Sequence, residues 1–324
     1  MQGELVLIMP RCAERAKRER LDRALNTALA GVRISGTVEF AHNLQPITGK
    51  RLLFAVALGE SGVNLEYYAM LKQLRLNPDY LQGCVGAALI DGQSELYTKY
   101  IARELVFTAN QCGAAFIGRP LVEATGSLKN FNVIARLTGT DELTSYHDSV
   151  CGLVRRLLTH DAALHSARRI LALHASSRHS SNTLDLWDLV KGGLPHSEIR
   201  EIGLRNGEVA DCAGCPYTTC LHFQKQGGCF YGGVMVSEVS PAMAWCDTLL
   251  LLCPNYNDAL SANMTAFINR MTGLFHIQQF YDKLLYAIIV SGYSGSDIVA
   301  GQLIAALNMN KTFFLPPRFA LIET

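Results

Sequence analysis

Four of the chain's ten cysteines crowd into eighteen residues, as Cys212-x2-Cys215-x4-Cys220-x8-Cys229. Four thiolates so close together can enclose one metal centre, either tetrahedral zinc or a 4Fe–4S cluster, and a loop of free thiols is the third reading. His222 lies inside the motif and reads as a neighbour of the ligands, with a ligand role as the second reading. The remaining cysteines, Cys12, Cys84, Cys112, Cys151, Cys246 and Cys253, are scattered singly. A second constellation is the run Ser176, Ser177, Arg178, Ser180, Ser181, Asn182 and Thr183. Backbone N–H groups, small hydroxyls and one cation are what a phosphate needs at a strand-to-helix turn, although a Ser-rich turn alone also reads as a helix cap. Two further small-residue turns follow. Pro254, Asn255, Tyr256 and Asn257 offer an apolar wall with amides for a flat ring with a polar edge. Ser291, Gly292, Tyr293 and Gly295 form the other. Either could be an ordinary loop if it stood alone.

The elements that must position these residues alternate regularly. In the second half, strands are predicted at 169–175, 197–204, 248–253, 283–290 and 312–316, with helices through LDLWDLV, SANMTAFINRMTGLF and VAGQLIAAL. Continuous apolar strands separated by amphipathic helices imply a parallel sheet covered on both faces. Right-handed crossovers then restrict it to the doubly wound α/β class, with its ligand edge at the carboxyl ends of strands 1, 3 and 4. The three polar turns follow those three strands.

The first half repeats the rhythm. Strands are expected at 4–10, 33–40, 51–58, 85–92 and 114–120, with helices over 13–30, through LEYYAMLKQL and YTKYIARELVFTAN, and over 141–158. Ala102, Leu105, Asn110 and Phe116 fall on Ala300, Leu303, Asn308 and Phe314 at a constant offset of 198. Two tandem copies follow: 1–165 and 166–324, each a five-stranded doubly wound sheet of order 2-1-3-4-5. The first copy has no Ser/Asn/Thr cradle after Pro10, and Glu14 stands where phosphate would approach. It reads as degenerate, without a flavin site of its own.

The second half resembles the NAD(P)H-dependent FMN reductases and, within them, the iron–sulfur flavoproteins. Ser176, Arg178, Asn182 and Thr183 match the family's phosphate loop, with Ala175, Ser177 and Ser181 departing from it. Pro254, Tyr256, Ser261 and Ala262 match its ring loop, with Asn255 in place of a valine. Ala266 to Arg270 match the helix that follows. The resemblance implies a flavodoxin-like fold, FMN held by the three loops, and NAD(P)H as the donor of a flavin oxidoreductase. It implies a compact four-cysteine cluster motif too, whose usual spacing is tighter than the one here. In the resembled reductases the flavin lies near a homodimer interface. A tandem chain could supply that cover internally, as a pseudo-twofold dimer, with further oligomerisation left open.

Composition sets the remaining expectations. With 324 residues, 49% apolar and 18% charged, the chain is long enough for two cores. A net charge of +1 gives no reason to expect nucleic acid or an anionic membrane surface. The sequence shows neither a signal-like start nor an apolar run of membrane length, so a cytoplasmic location is expected, with thiols reduced. Partners are then a small-molecule or protein electron donor and acceptor. A non-catalytic FMN carrier or redox sensor, and a zinc-loop interaction protein without FMN, are the alternatives. No Ser/His/Asp arrangement suggests a catalytic nucleophile.

Overall fold

The computed structural model describes the chain apart from residues 1–3, 60, 162–167, 177–180 and 227 and the side chain of Arg15. The chain divides into two compact units, Met1–Asp161 and Ala162–Thr324. The first contains strands β1 (Leu5–Ile8), β2 (Ile34–Val38), β3 (Arg51–Ala57), β4 (Val85–Asp91) and β5 (Ala115–Ala124). Its α-helices are α1 (Glu19–Ala28), α2 (Leu65–Leu76), α3 (Thr98–Gln111), α4 (Asn132–Thr138) and α5 (Glu142–Thr159). The second contains β6 (Arg169–His174), β7 (Glu198–Gly203), β8 (Thr248–Pro254), β9 (Leu284–Val290) and β10 (Ala320–Glu323). Its α-helices are α6 (Asn182–Gly192), α7 (Tyr217–Lys225), α8 (Ser240–Trp245), α9 (Ala262–Phe275) and α10 (Ser296–Leu303).

Both sheets are all-parallel, in the orders β2-β1-β3-β4-β5 and β10-β9-β8-β6-β7. Read from its own first strand, each is the 2-1-3-4-5 order of a flavodoxin-like sheet. Central strands are buried on both faces, which is why β3 and β8 are uninterrupted apolar runs. The edge strands β2 and β7 alternate polar and apolar residues and are only partly covered. In the first unit, Leu21 and Leu25 of α1 and Val150, Leu153 and Leu157 of α5 pack into one core with Leu5, Leu53 and Leu89. In the second, Leu184 and Trp187 of α6 cover Ile170, Leu250, Leu252 and Ile288.

The last strand departs from the sequence reading. Residues 312–316 contribute only a bridge, Phe314 to Leu284, and the strand proper is Ala320–Glu323. Pro316 and Pro317 have no N–H for a ladder, and Arg318 turns the chain at φ +50° before pairing resumes. The first unit has the same interruption: β5 breaks register after Gly86/Phe116, with Arg119 at φ +51° before Pro120. In that unit the first helix also starts late. A 3-10 turn, Arg15–Arg18, precedes α1. The helices α4, α7 and α8 were not anticipated.

The offset of 198 carries structural meaning. Asn110 and Asn308 are both fully buried, and each side-chain amide donates to a carbonyl a few residues on, Ala114 at 2.9 Å and Phe313 at 2.8 Å. Each holds the turn that feeds the last strand of its sheet. Asn110→Ala and Asn308→Ala should each lower stability by about 1–3 kcal/mol, the cost of stranding a buried carbonyl. Urea denaturation of the two variants checks it, and equivalent roles require comparable losses.

Candidate functional site

Parallel pairing of β6, β8 and β9 brings their following turns to one edge of the second sheet. Two of these turns are tied into one unit by Asn255. Its N–H continues the ladder to the Val290 carbonyl at 2.8 Å. Its side-chain Nδ2 donates to the Ser294 carbonyl at 2.7 Å, Ser291 Oγ at 3.1 Å and Asp258 Oδ1 at 3.3 Å. Ser291 Oγ donates to the same Ser294 carbonyl at 2.5 Å. Gln302 of α10 clamps the other side, accepting from Leu260 N–H and donating to the Asp258 carbonyl, both at 3.1 Å.

The backbone that permits this is unusual. Asn257 and Asp258 both adopt the left-handed region, at φ +52° and +58°, which Asn and Asp tolerate better than other non-glycine residues. Gly295 has φ +86°, and a Cβ there would lie 1.8 Å from Asp258 Oδ1. Only glycine lets the two turns close on each other. Tyr256 and Tyr293 extend from this unit into solvent, 54% and 94% exposed. Asn255 Oδ1 and Ser296 Oγ are buried with no hydrogen-bond partner among the described residues.

The third turn follows β6. His174 Nδ1 lies 3.0 Å from the Ser176 carbonyl. Its Nε2 faces Glu201 Oε1 at 3.7 Å. Glu201 Oε2 in turn accepts from Trp187 Nε1 at 3.1 Å and Lys191 Nζ at 3.2 Å. Ser177, Arg178 and Ser180 lie outside the described residues. Ser181 caps α6, its Oγ accepting from Leu184 N–H at 3.4 Å, so that hydroxyl serves the helix. Thr183 is buried and Asn182 exposed.

The four cysteines of the motif line one cavity of about 280 Å³, between the loop around α7 and the face of α9. His276 is the histidine on its wall; His222 stacks edge-on against Phe223 instead. Asp211 pins the loop to α9, accepting from Asn269 Nδ2 at 2.9 Å and from Cys212 N–H at 2.7 Å. These bonds, Asn269's first, hold the Asp211 carboxyl below its ordinary range. Close approach of α7 to α9 requires Gly273, where a Cβ would lie 2.3 Å from Gln224 Nε2. Burial, and then the nearness of Cys212, Cys229 and Cys215, push the Cys220 thiol up. Among the described residues no three Cys, His, Asp or Glu side chains stand close enough to grip a metal ion directly.

Arg270 also lines this cavity and is 6% exposed. One nitrogen donates to the Gly232 carbonyl at 2.9 Å, while Nε and Nη1 are buried without a partner among the described residues. A buried cation without its counter-charge costs about 3–5 kcal/mol. Four thiols and one unmatched cation fit an all-thiolate centre, whose net charge is negative. In the sequence, Arg270 shows only as the last residue of the Ala266–Arg270 match.

The equivalent edge of the first unit is occupied by its own side chains. Asp91, at the end of β4, is fully buried and takes Arg20 Nη2 at 2.8 Å, Arg20 Nε at 3.0 Å and the Tyr146 hydroxyl at 3.2 Å. Arg20 also donates to the Gly92 and Gly126 carbonyls at 2.8 and 3.2 Å.

Residues 168–324 match the family described as NADPH-dependent FMN reductase. The match spans the whole of the second sheet and all three turns. No curated protein matches the chain. Among solved structures, RosB with a bound 8-demethyl-8-formylriboflavin-5'-phosphate intermediate is 14% identical over 48% of this chain and 64% of its own, with a TM-score of 0.37. Smu.1420 from Streptococcus mutans UA159 is also 14% identical, over 48% of this chain and 87% of its own, with a TM-score of 0.35. The chain thus spans less than two thirds of the first of these. No described helix is long and apolar enough to cross a membrane.

The cysteines divide by environment. Burial pushes the Cys246 thiol up to about 11 and the Cys253 thiol to about 12, and raises Cys84 as well. At pH 8 these three stay protonated and enclosed. Iodoacetamide labelling of metal-free protein, read by peptide mass spectrometry, should modify Cys212, Cys215, Cys220 and Cys229 at least tenfold faster than Cys84, Cys246 and Cys253.

Proposed function

We propose that the chain is a flavin-dependent oxidoreductase of the NADPH-dependent FMN reductase type, with FMN in the second unit. The observation that carries this is the family match over residues 168–324, which includes the three turns at the ends of β6, β8 and β9. Bound FMN would supply two-electron chemistry with NAD(P)H and one-electron chemistry with other partners. The protein's own contribution is to bind and orient. Ser176, Arg178, Asn182 and Thr183 would hold the phosphate, with Ser181 contributing its backbone rather than its capping hydroxyl. Pro254, Asn255, Tyr256 and Asn257 would form one wall of the ring site, and Ser291, Gly292, Tyr293 and Gly295 the other. The unpaired Asn255 Oδ1 and Ser296 Oγ supply a buried acceptor and a hydroxyl for the ring's polar edge. The exposed Tyr256 and Tyr293 are available to flank it.

The reading extends to the four-cysteine cavity as a 4Fe–4S site exchanging single electrons with the flavin. A lone zinc ion bonded to sulfur at about 2.3 Å fills the space between its ligands. The cavity of about 280 Å³ that the four cysteines share has room for a multinuclear centre. In the first unit, the Arg20–Asp91–Tyr146 network satisfies itself where a ligand edge would be, which supports a copy without a flavin of its own.

Replacing Arg178 and Thr183 together with Ala removes two phosphate contacts. Charge-assisted hydrogen bonds are worth roughly 1.5–3 kcal/mol each, so FMN affinity should fall at least tenfold by fluorescence titration. The native protein, purified without air, should show flavin absorbance that NADPH or NADH bleaches. A colourless folded protein that takes up no FMN rejects the function, and bound flavin unaffected by nicotinamide favours a carrier. Separate expression of 166–324 tests whether the first unit covers the flavin. Weaker FMN binding than in the full chain supports that role, and equal binding and reduction reject it.

A further inference from the structure

The cavity walled by the four cysteines contains a charge that the fold leaves unmatched. Arg270 reaches it from α9, almost wholly buried, with two of its three guanidinium nitrogens lacking a hydrogen-bond partner among the described residues. Its single bond is to a backbone carbonyl, which carries no charge. The residues lining the cavity include no Asp or Glu. Neither do those lining the small neighbouring cavity that Arg270 also borders. Asp211, beside the motif, is already engaged by Asn269 and by Cys212 N–H. What the cavity does offer a cation is sulfur: Cys212, Cys215, Cys220 and Cys229.

A buried guanidinium is retained at a stability cost unless an anion completes it. Metal-bound cysteines are thiolates, and four of them outweigh the charge of the metal they hold, so the completed centre is an anion. From this we infer that Arg270 is the counter-cation of the four-cysteine centre, a positioning residue that stabilises its negative charge and raises its reduction potential. The inference rests on the reading of these cysteines as ligands. Its physical basis is that one-electron reduction makes the centre more negative. A fixed cation in a poorly solvated wall therefore favours the reduced form more than the oxidised one. Arg suits the place because it cannot shed its proton when buried, as a lysine can. The Gly232 carbonyl fixes one end of the guanidinium and leaves the rest for sulfur.

The test uses the full chain, purified anaerobically, as wild type, Arg270→Met, Arg270→Gln and Arg270→Lys. Iron, sulfide and zinc contents are measured first, then the midpoint potential by dithionite titration followed by electron paramagnetic resonance. Thermal unfolding reports the fold. Arg270→Met should shift the reduction equilibrium at least tenfold toward the oxidised centre, about 59 mV for a one-electron couple. Arg270→Lys should keep most of the wild-type value. An unchanged potential in iron-loaded Arg270→Met overturns the inference and leaves the ligand reading intact. If the wild type carries zinc, the readout is its loss to a chelator. Retention should then weaken at least tenfold in the Met and Gln variants, and unchanged retention overturns the role. If Arg270→Met does not fold, Gln and Lys decide: a deficient Gln variant beside a wild-type-like Lys variant supports a charge effect, and equal impairment rejects it. Wild-type protein without iron or zinc that also fails to bind added cobalt overturns the ligand reading itself.

Discussion

Parallel strand pairing is the constraint on which the rest of the second unit depends. β8 is bonded on one side to β6 and on the other to β9, with Leu249 and Leu251 fully buried between the covering helices. Every crossover must return the chain to the same starting edge before the next strand can pair. The turns leaving β6, β8 and β9 consequently emerge side by side. A three-loop site is a consequence of topology before any polar residue is chosen. Side-chain chemistry then locks it, chiefly through the Asn255 amide and the absence of a Cβ at Gly295.

The two units share this frame and use its edge in opposite ways. Their last strands are fed by matching buried asparagines and broken at Arg119 and Arg318, both at positive φ, so the backbone solution is common to both. At the ligand edge of the first unit, a carboxylate, a guanidinium and a phenol satisfy one another. Burial pushes the Asp91 carboxyl above its usual range, and the fork from Arg20 offsets part of that penalty. In the second unit, Asn255 Oδ1 and Ser296 Oγ at the edge have no partner among the described residues, and two tyrosines stay exposed. One edge is finished by the protein's own side chains, whereas the other leaves polar atoms unsatisfied among the described residues.

The cysteine loop is governed by a different contact. It hangs between β7 and β8, away from the ladder, and owes its shape to the approach of α7 to α9. That approach depends on a glycine opposite Gln224 and on the Asp211–Asn269 bond. It gathers four thiols and one buried cation around a shared space, so electrostatics at that cavity are set by helix packing rather than by neighbours in sequence.

What the sequence determined by itself was the periodic part. Nine of the ten strands follow from apolar or alternating runs bounded by polar turns, and the offset of 198 marked matching positions in the two halves. The three polar turns and the cysteine spacing were equally visible, because their composition departs from the apolar runs around them. The tenth strand was misplaced, since β-rich residues before Pro316 outweighed the missing N–H groups of the two prolines that follow. Tertiary structure alone decided which polar atoms are already spent. Ser181 reads as a phosphate ligand, and its hydroxyl oxygen also caps α6. Asn255 reads as a departure from a pattern until its amide is seen joining two loops. Arg270 reads as a helix residue until it is found buried, with two guanidinium nitrogens unpartnered among the described residues. Whether a polar group is satisfied depends on partners remote in the chain, and local sequence does not encode that.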